Sequence, residues 1–264
     1  MKKFLLILLI IIVLIPVSLL TYLGFMPVLS SLFGTDKPRD LGINFTKEDL
    51  KNVREKSQVE YTVLPDSNIP EDTRRFIGER KVNAEFTSSE ITATLNNQPW
   101  KLWPYTNVQI RFNGDGSGEI SGVLLKDKVP SYAETIGVPP EAIDFAMKYL
   151  PNNPVFYVKM KATLENNKVG EFNPQSFEIG RMPMPLNLFL AIGGQSLVNK
   201  AYAQSLGDME KDLSKVQNKK AQIISFINGR LNGGFGKFYA KKAYFGENKL
   251  YFDGTLTQEI SYTP

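Results

Sequence analysis

An uncharged apolar run near the N-terminus constrains this chain more than any other feature of its sequence. Lys2 and Lys3 precede the run, no residue from Phe4 to Phe25 is charged, and the next charged side chain is Asp36. A helix of about 22 residues extends about 33 Å, which is enough to cross a hydrocarbon layer of about 30 Å. The run therefore predicts one membrane-spanning helix, with its positively charged end in the cytoplasm.

A cleaved signal peptide is the alternative interpretation of this run. The apolar region of a signal peptide has about 7–15 residues and ends at a small-residue cleavage site, whereas this run is longer and has no such site. We therefore predict an uncleaved single-pass anchor in the cell membrane over residues 1–25, a tether over 26–40 and an extracytoplasmic domain over 41–264. The lipid bilayer is then a partner of the chain, and the side chains predicted to contact it are Phe4, Leu5, Leu6, Ile7, Leu8, Leu9, Ile10, Ile11, Ile12, Val13, Leu14, Ile15, Pro16, Val17, Leu19, Leu20, Tyr22, Leu23 and Phe25.

Two residue types are missing, and their absence excludes several classes of chemistry. The chain has no His and no Cys, which excludes Ser-His-Asp and Cys-His catalysis, disulfide bonds and Cys-based metal sites. Beyond residue 35 there are 29 basic residues, after Lys2 and Lys3 are subtracted from 31, and 27 acidic ones. This small excess predicts no nucleic-acid partner. Because no catalytic motif occurs, we expect no enzyme activity, no cofactor and no metal; an Asp/Glu or Ser/Lys hydrolase is the catalytic alternative.

The rest of the sequence alternates between strand and helix patterns. Alternating apolar residues around Gly- or Asn-containing turns predict three hairpins, over residues 108–125, 155–179 and 242–260. The pattern Phe-Thr-x-x-acid-aliphatic begins at Phe45 and again at Phe86, and in each case the Thr and the acid can form a capping box. The two patterns indicate either a weak internal repeat or two independent caps. The predicted helices cover 46–56, 87–96, 138–150, 186–204 and 208–231, and further strands cover 58–64 and 80–86.

This order of elements predicts an α+β fold. Along the first strand of the second hairpin, the even-numbered residues from Phe156 to Leu164 are apolar, whereas Lys159, Lys161 and Thr163 lie on the opposite face. A strand with one apolar face is typical of an antiparallel sheet that packs on one side only. We therefore expect a sheet of long antiparallel strands with helices on one face, preceded by the membrane helix.

The order and spacing of several segments resemble a known family. The helix at Phe86-Thr87-Ser88-Ser89-Glu90-Ile91-x-x-x-Leu95 is followed by the hairpin 108–125, and Gly180-Arg181-Met182-Pro183-Met184-Pro185 precedes a later helix. With its N-terminal anchor, the chain resembles the YpmS-like membrane-anchored bacterial proteins, which are similar to the tubular lipid-binding (TULIP-like) superfamily. The resemblance covers about residues 80–260 and leaves 44–79 and 195–222 unmatched. It implies a curved sheet around a long helix and an apolar tunnel, and lipid binding or delivery in the cell envelope without a catalytic residue.

The apolar interior is the candidate site. A curved sheet can leave a tunnel whose inward-facing side chains contact a lipid or another apolar ligand. The alternative is an envelope scaffold or protein-interaction domain, with a filled core and an exposed sheet edge. The residues predicted to line the ligand site are Phe156, Val158, Met160, Leu164, Phe177, Ile179, Leu188, Phe189, Ile192, Ile223 and Ile227.

Two other segments have both a structural and a functional interpretation. Trp100 and Trp103 either pack the corner between helix 87–96 and the following strand or lie at the level of lipid headgroups, and we predict packing. The segment from Asn113 to Gly116 is either a hairpin turn or part of a Ca²⁺ loop. We predict a turn, because the other acidic ligands of such a loop are missing.

Overall fold

Two hairpins form the centre of the main sheet. The structure is a computed structural model and describes residues 13–136, 138, 140–183, 219–233 and 238–264. Strand β4 (Tyr105–Phe112) returns as β5 (Ser117–Leu124), and β6 (Val155–Glu165) returns as β7 (Lys168–Ile179). The second turn consists of Asn166 and Asn167, whose φ angles of 49° and 60° suit a two-residue turn of type I′. The first two predicted hairpins are confirmed.

Seven further strands within the described ranges complete the main sheet and a small second sheet. The seven strands are β1 (Glu60–Val63), β2 (Arg74–Ile77), β3 (Arg80–Thr87), β8 (Met182–Pro183), β9 (Tyr239–Gly246), β10 (Lys249–Leu256) and β11 (Glu259–Tyr262). The small sheet has the order β1-β11-β2, and β11 is parallel to β1 and antiparallel to β2.

Strand β6 gives the main sheet its shape. Along one edge, residues from Val155 to Lys161 pair with β5, and residues from Thr163 to Glu165 pair with β9, while β7 occupies the opposite edge. The sheet thus continues from β6 in two directions, as β5-β4 and as β9-β10-β3, and it curls strongly into an antiparallel half-barrel. The predicted α+β class with a curved antiparallel sheet is confirmed.

Seven α-helices lie within the described ranges. Residues 13–22 form helix α1. The predicted helices near 46–56, 87–96 and 138–150 are confirmed, and the described part of the predicted helix 208–231 is helical, whereas the predicted helix 186–204 lies outside the described residues. The remaining helices are α2 (Pro27–Leu32), α3 (Lys47–Ser57), α4 (Ser88–Asn96), α5 (Val129–Thr135), α6 (Pro140–Tyr149) and α7 (Lys219–Gly233).

Both predicted capping boxes are present. Thr46 and Asp49 exchange side-chain and backbone hydrogen bonds at the start of α3, and Thr87 and Glu90 do so at the start of α4. The Glu90 carboxylate, which is buried, also accepts a 2.6 Å hydrogen bond from Lys56 Nζ at the end of α3. The caps therefore also fix the two helices to each other. The packed core beneath α3 consists of Val53, Val82, Phe86, Ala240, Ala243 and Phe252.

Helix α4 covers the outer edge of β4 with polar side chains. Ser88, Thr92 and Asn96 are four residues apart and therefore lie on one helix face. Ser88 Oγ, Thr92 Oγ1 and Asn96 Oδ1 accept hydrogen bonds of 3.0, 2.9 and 2.9 Å from alternate backbone N–H groups of β4, at residues 112, 110 and 108. An open strand edge invites pairing with another chain. This edge is satisfied within the protein.

We expect Thr92→Val to destabilise the protein by about 1–3 kcal/mol. The backbone N–H of Ile110 loses its acceptor, while the shape of side chain 92 stays the same. Thr92 is completely buried. Thr94→Val is the matched control, since the Thr94 hydroxyl only donates to the Glu90 carbonyl of its own helix. Urea denaturation measures both variants. Equal free energies of unfolding for the two variants would contradict the role of Thr92 at this edge.

The third predicted hairpin is confirmed only in part. Strand β10 ends at Leu256 instead of continuing to Ile260, and the chain crosses to the small sheet as β11. The side-chain hydroxyl of Thr257 donates to the carbonyls of Ile77 and Glu259, and the Gln258 N–H also donates to Ile77. At the crossing these bonds to β2 and β11 take the place of strand-pairing bonds. A run of alternating residues does not indicate that the chain changes from one sheet to the other.

Part of the predicted membrane segment falls outside the described residues, namely Phe4 to Ile12. Within the described ranges, no helix combines the length and hydropathy needed to cross a bilayer.

Candidate functional site

An apolar cavity of about 560 Å³ lies against the inner face of β4 to β7. Volumes of about 300–1,000 Å³ are usual for sites that hold small ligands. The cavity extends toward the start of β6, where the loop after α6 and the start of α5 contribute to its wall. Its lining consists of Leu95, Trp103, Tyr105, Val108, Ile120, Leu124, Val129, Leu150, Pro154, Val155, Phe156, Val158, Phe177 and Ile179.

The strand register places the lining residues in rows across the sheet. Ile120, Val158 and Phe177 are directly opposite one another on β5, β6 and β7. In the neighbouring row Phe156 lies opposite Ile179. Because residues two apart on a strand share a face, both rows point to the same side of the sheet. The structure therefore brings together Phe156, Val158, Phe177 and Ile179, four of the residues predicted to contact a ligand.

Gly122 leaves room for the ring of Phe156 at this wall. Gly122 lies opposite Phe156 in the β5–β6 ladder. A Cβ atom at position 122 would lie 3.1 Å from the Phe156 ring and 3.1 Å from Val108 Cγ2. A side chain here would push the ring toward the cavity.

Two other predicted ligand-contacting residues, both on β6, lie outside this cavity. Met160, farther along β6, does not line this cavity, and Leu164 packs against the core cluster beneath α3. Ile223 and Ile227 lie on α7, which is held to β7 by a 2.7 Å hydrogen bond from Val169 N to Asn228 Oδ1. The predicted contacts Leu188, Phe189 and Ile192 lie outside the described residues.

An aromatic cluster that strand patterns do not indicate completes the wall. Trp103, Tyr105 and Tyr132 contact one another with ring centroids 5.0–6.1 Å apart, and Tyr105 also meets Phe156 at 5.8 Å. The Trp103 indole N–H donates to the Leu95 carbonyl at 2.9 Å. Burial raises the pKa of Tyr105 above its usual range, so this phenol stays neutral. The wall is therefore apolar and uncharged.

The two tryptophans have different roles. Trp100 is buried, and its indole N–H donates to Thr73 Oγ1 at 2.9 Å. Its ring contacts Arg74 and Tyr132, which do not belong to the predicted corner between helix 87–96 and the following strand. Trp103 contacts Leu95 at the end of α4 and Tyr105 at the start of β4, as predicted for that corner, and it also contributes to the cavity wall. The turn from Asn113 to Gly116 is confirmed as a hairpin turn.

The opposite face of the same strands is polar and contains a buried carboxylate. Only 5% of the Glu119 side chain is exposed. Glu119 accepts hydrogen bonds from Tyr157 Oη at 2.7 Å, Arg111 Nη2 at 2.9 Å and Asn113 Nδ2 at 2.8 Å. Lys159 Nζ lies 3.9 Å from it. The back of the cavity wall is thus held by a charged hydrogen-bond network.

The end of the predicted tether is fixed to this polar face. Arg39 forms a two-point ion pair with buried Glu178, at 2.6 and 2.9 Å, and its guanidinium lies 4.5 Å from the centre of the Tyr157 ring. The Leu41 N–H donates to Gln109 Oε1 at 2.6 Å, and Leu41 is buried. The chain that follows the apolar run is therefore attached to the back of the sheet.

Helices α1 and α2 show an inverted pattern of burial. The hydroxyls of Ser30 and Thr35 both donate to the Thr21 carbonyl, at 2.7 and 3.0 Å, and all three of these polar residues are buried. The apolar side chains point outward: Val28 is 76% exposed, Leu32 75% and Phe33 70%. In water, a helix pair normally buries its apolar side chains instead. Large exposed apolar patches mark contact with a membrane or with another protein.

A second cavity, of about 310 Å³, lies between α3, α4 and the β3–β10 pair. Its wall combines apolar core residues with polar ones, among them Arg54, Asn97 and Gln98. Arg54 lies over the Tyr61 ring at 5.4 Å. Among the described side chains predicted to contact a ligand, none lines this cavity.

Among the described residues, no group of acidic side chains is arranged to hold a metal ion. The resemblance to the YpmS-like and TULIP-like proteins is neither supported nor opposed and stays an expectation. No protein-family model, curated protein or solved structure matches this chain.

Proposed function

We propose that this protein is a membrane-anchored, extracytoplasmic protein whose domain binds a lipid or another apolar ligand without catalysing a reaction. The apolar cavity of about 560 Å³ inside the curled sheet carries this proposal. A protein interior normally packs as densely as an organic crystal and leaves few voids larger than a water molecule. A large cavity with an apolar wall favours an apolar occupant.

The N-terminal region supports the membrane part of the proposal. Of the sixteen large apolar side chains that are exposed within the described ranges, ten lie between Val13 and Phe33. They continue the uncharged run that begins at Phe4. Contact with lipid would remove this apolar surface from water, which is favourable by about 25 cal/mol for each Å². The buried hydroxyls of Ser30 and Thr35 keep their polar groups away from the same lipid.

Binding would follow from transfer of an acyl chain between two apolar environments. Each methylene group buried from water contributes about 0.8 kcal/mol, and the bilayer and the cavity both supply this contribution. The net free energy of transfer is therefore small, and exchange in both directions is possible. Such a balance suits a carrier or a sensor of lipids better than an irreversible store.

Native mass spectrometry of the full chain tests the proposal. The chain is extracted from washed membranes with a mild detergent and measured as the intact protein. We expect the anchored chain in the membrane fraction, and a mass increment of one lipid or similar amphiphile that survives detergent exchange. A chain that lacks the first 25 residues and is recovered from the soluble fraction would contradict the anchor. A full-length chain without any bound amphiphile would instead favour a scaffold with a filled interior.

A further inference from the structure

A groove of about 420 Å³ lies between α1 and the corner that connects β7 to β8. One wall comes from about two and a half turns of α1, and the other from the residues just after β7. Its lining consists of Leu14, Ile15, Ser18, Leu19, Tyr22, Arg181, Met182 and Pro183. On the α1 side, Leu14, Ile15 and Leu19 are 55%, 63% and 46% exposed. The groove is thus apolar, and it opens beside the segment predicted to enter the membrane.

The groove and the ligand cavity are adjacent through the β7–β8 pair. Ile179 lines the cavity, and Met182, its direct partner in the ladder, lines the groove. Directly opposed residues in an antiparallel pair have side chains on the same face of the sheet. An apolar chain that slides past Met182 therefore meets Ile179 next.

A single residue, Gly180, separates the two walls. Its N–H donates to the carbonyl of Val155, which lines the cavity, at 2.7 Å. A Cβ atom on Gly180 would lie 2.3 Å from the carbonyl oxygen of Tyr22, which lines the groove. The φ angle of Gly180 is +65°, so both the backbone conformation and the close approach require glycine. The Arg181 N–H then donates to the same Tyr22 carbonyl at 2.9 Å and closes the contact.

The charge at the groove indicates which kind of lipid fits. Among the described residues that line it, Arg181 alone is charged. Within the described part of the chain, its guanidinium has no carboxylate partner, unlike Arg39 and Arg111 on the back of the sheet. A basic side chain at a bilayer surface attracts anionic headgroups, and arginine forms two-point hydrogen bonds with phosphate.

We propose that this groove is the entrance through which one acyl chain of an anionic phospholipid passes from the bilayer into the cavity, while Arg181 binds the headgroup phosphate. The inference rests on the proposed function, since it assumes that the cavity holds a lipid. It adds the route of entry, the headgroup site and the preferred charge of the ligand.

Lipid competition tests the headgroup site. The full chain, depleted of lipid in detergent, is equilibrated with equal amounts of phosphatidylglycerol and phosphatidylcholine in mixed micelles, and native mass spectrometry gives the ratio bound. We expect wild type to prefer phosphatidylglycerol by about fivefold, because one basic residue near an anionic membrane surface contributes about 1 kcal/mol of attraction. Arg181→Gln should bring the ratio close to one without lowering total occupancy. Arg75→Gln, an exposed arginine on β2, is the matched control and should keep the preference.

Blocking the groove tests the route. Because the chain has no cysteine, Met182→Cys provides one thiol that a bulky maleimide can modify after the protein has folded. We expect the modified protein to take up phosphatidylglycerol from vesicles at least tenfold more slowly than the same protein before modification. Ile77→Cys, which is exposed on β2, should load at the same rate before and after modification.

The outcomes separate this inference from the proposed function. Wild type that binds neither phospholipid overturns the proposed function itself. Wild type that binds both equally well, or an Arg181→Gln variant that keeps the preference, leaves the cavity as a lipid site but overturns the role of Arg181. Unchanged loading of modified Met182→Cys overturns the groove as the entrance.

Discussion

Replacing Glu119 with alanine should lower the free energy of unfolding by about 3–5 kcal/mol, because three donors lose hydrogen bonds to a buried carboxylate, and a hydrogen bond to a charged group contributes about 1.5–3 kcal/mol. Glu119 is 5% exposed on the polar face of β5. It accepts hydrogen bonds from Arg111, Asn113 and Tyr157. After the substitution the buried Tyr157 hydroxyl loses its acceptor, whereas Arg111 keeps its bond to the Leu41 carbonyl and Asn113 its bond to Ser117 Oγ. Urea denaturation at pH 7, followed by tryptophan fluorescence, measures the loss.

An exposed ion pair provides the control. Glu85 lies 2.7 Å from Lys249 across the β3–β10 pair, and both side chains are about half exposed. Because exposed ion pairs contribute about 0–1 kcal/mol, Glu85→Ala should have a small effect. If Glu119→Ala and Glu85→Ala destabilise the protein equally, the network behind the cavity does not hold the sheet.

The same network predicts how stability depends on pH. Burial of the Glu119 carboxyl raises its pKa, but hydrogen bonds from Tyr157, Arg111 and Asn113 outweigh burial and bring the pKa below its ordinary value. As the pH falls, the Glu119 carboxylate is therefore protonated in the unfolded chain before it is protonated in the folded protein. Its contribution to the free energy of unfolding is complete above about pH 4.3, and it is lost as the pH falls through the pKa of the folded state. Glu119→Gln should flatten this acid limb of the stability curve.

Tyr157, the hydrogen-bond donor to Glu119, makes stability fall as the pH rises instead of as it falls. Burial, together with the hydrogen bond to Glu119, raises the pKa of Tyr157 to about 12. The unfolded tyrosine ionises near pH 10, so the stabilisation is present below about pH 10 and is lost between about 10 and 12. Tyr157→Phe should remove this part of the alkaline loss.

The elements that sequence predicted correctly depend on local chemistry. The caps at Thr46 and Thr87 need only an acid three residues later, and the hairpin at Asn166-Asn167 needs only two residues that accept a positive φ. Strand alternation likewise placed Phe156 and Val158 on one face of β6, since the side-chain period of a strand does not depend on its neighbours.

What sequence did not predict depends on contacts between distant segments. A curved sheet was expected, but the pairing that curls it was not: β9 pairs with Thr163–Glu165, some eighty residues earlier in the chain. Helix α4 covers the edge of β4 through Ser88, Thr92 and Asn96, and a polar residue every fourth position looks like an ordinary solvated helix face. Neither pairing leaves a periodic signal in one strand or helix.

The residues of the candidate site also divide into those that local sequence patterns predict and those that depend on tertiary contacts. Four of its residues on β6 and β7 were predicted, because they follow from strand alternation. Leu95, Trp103 and Leu150 were not, because they reach the cavity from a helix and two loops whose positions only tertiary packing fixes. The exposed face of α2 was not predicted either, since the sequence indicates only a tether over residues 26–40.

Val158→Trp should lower the amount of bound lipid at least tenfold without destabilising the ligand-free protein by more than about 1 kcal/mol. Val158 lies on the cavity wall in the row with Ile120 and Phe177. If the space in front of it is empty, an indole can enter it and gain contacts with the apolar lining. The same indole then occupies the position of an acyl chain. Native mass spectrometry gives the lipid content, and urea denaturation of the lipid-depleted protein gives the stability.

Val82→Trp is the matched control, because it makes the same substitution at a core residue of β3 that is only 6% exposed and lines neither cavity. Extra side-chain volume in a filled core costs about 1–3 kcal/mol, so Val82→Trp should destabilise the protein while folded molecules keep their lipid. The two valines thus distinguish a cavity from a core with one substitution. If Val158→Trp costs as much stability as Val82→Trp and leaves the lipid content unchanged, the interior of the curled sheet is packed, and any lipid binds elsewhere.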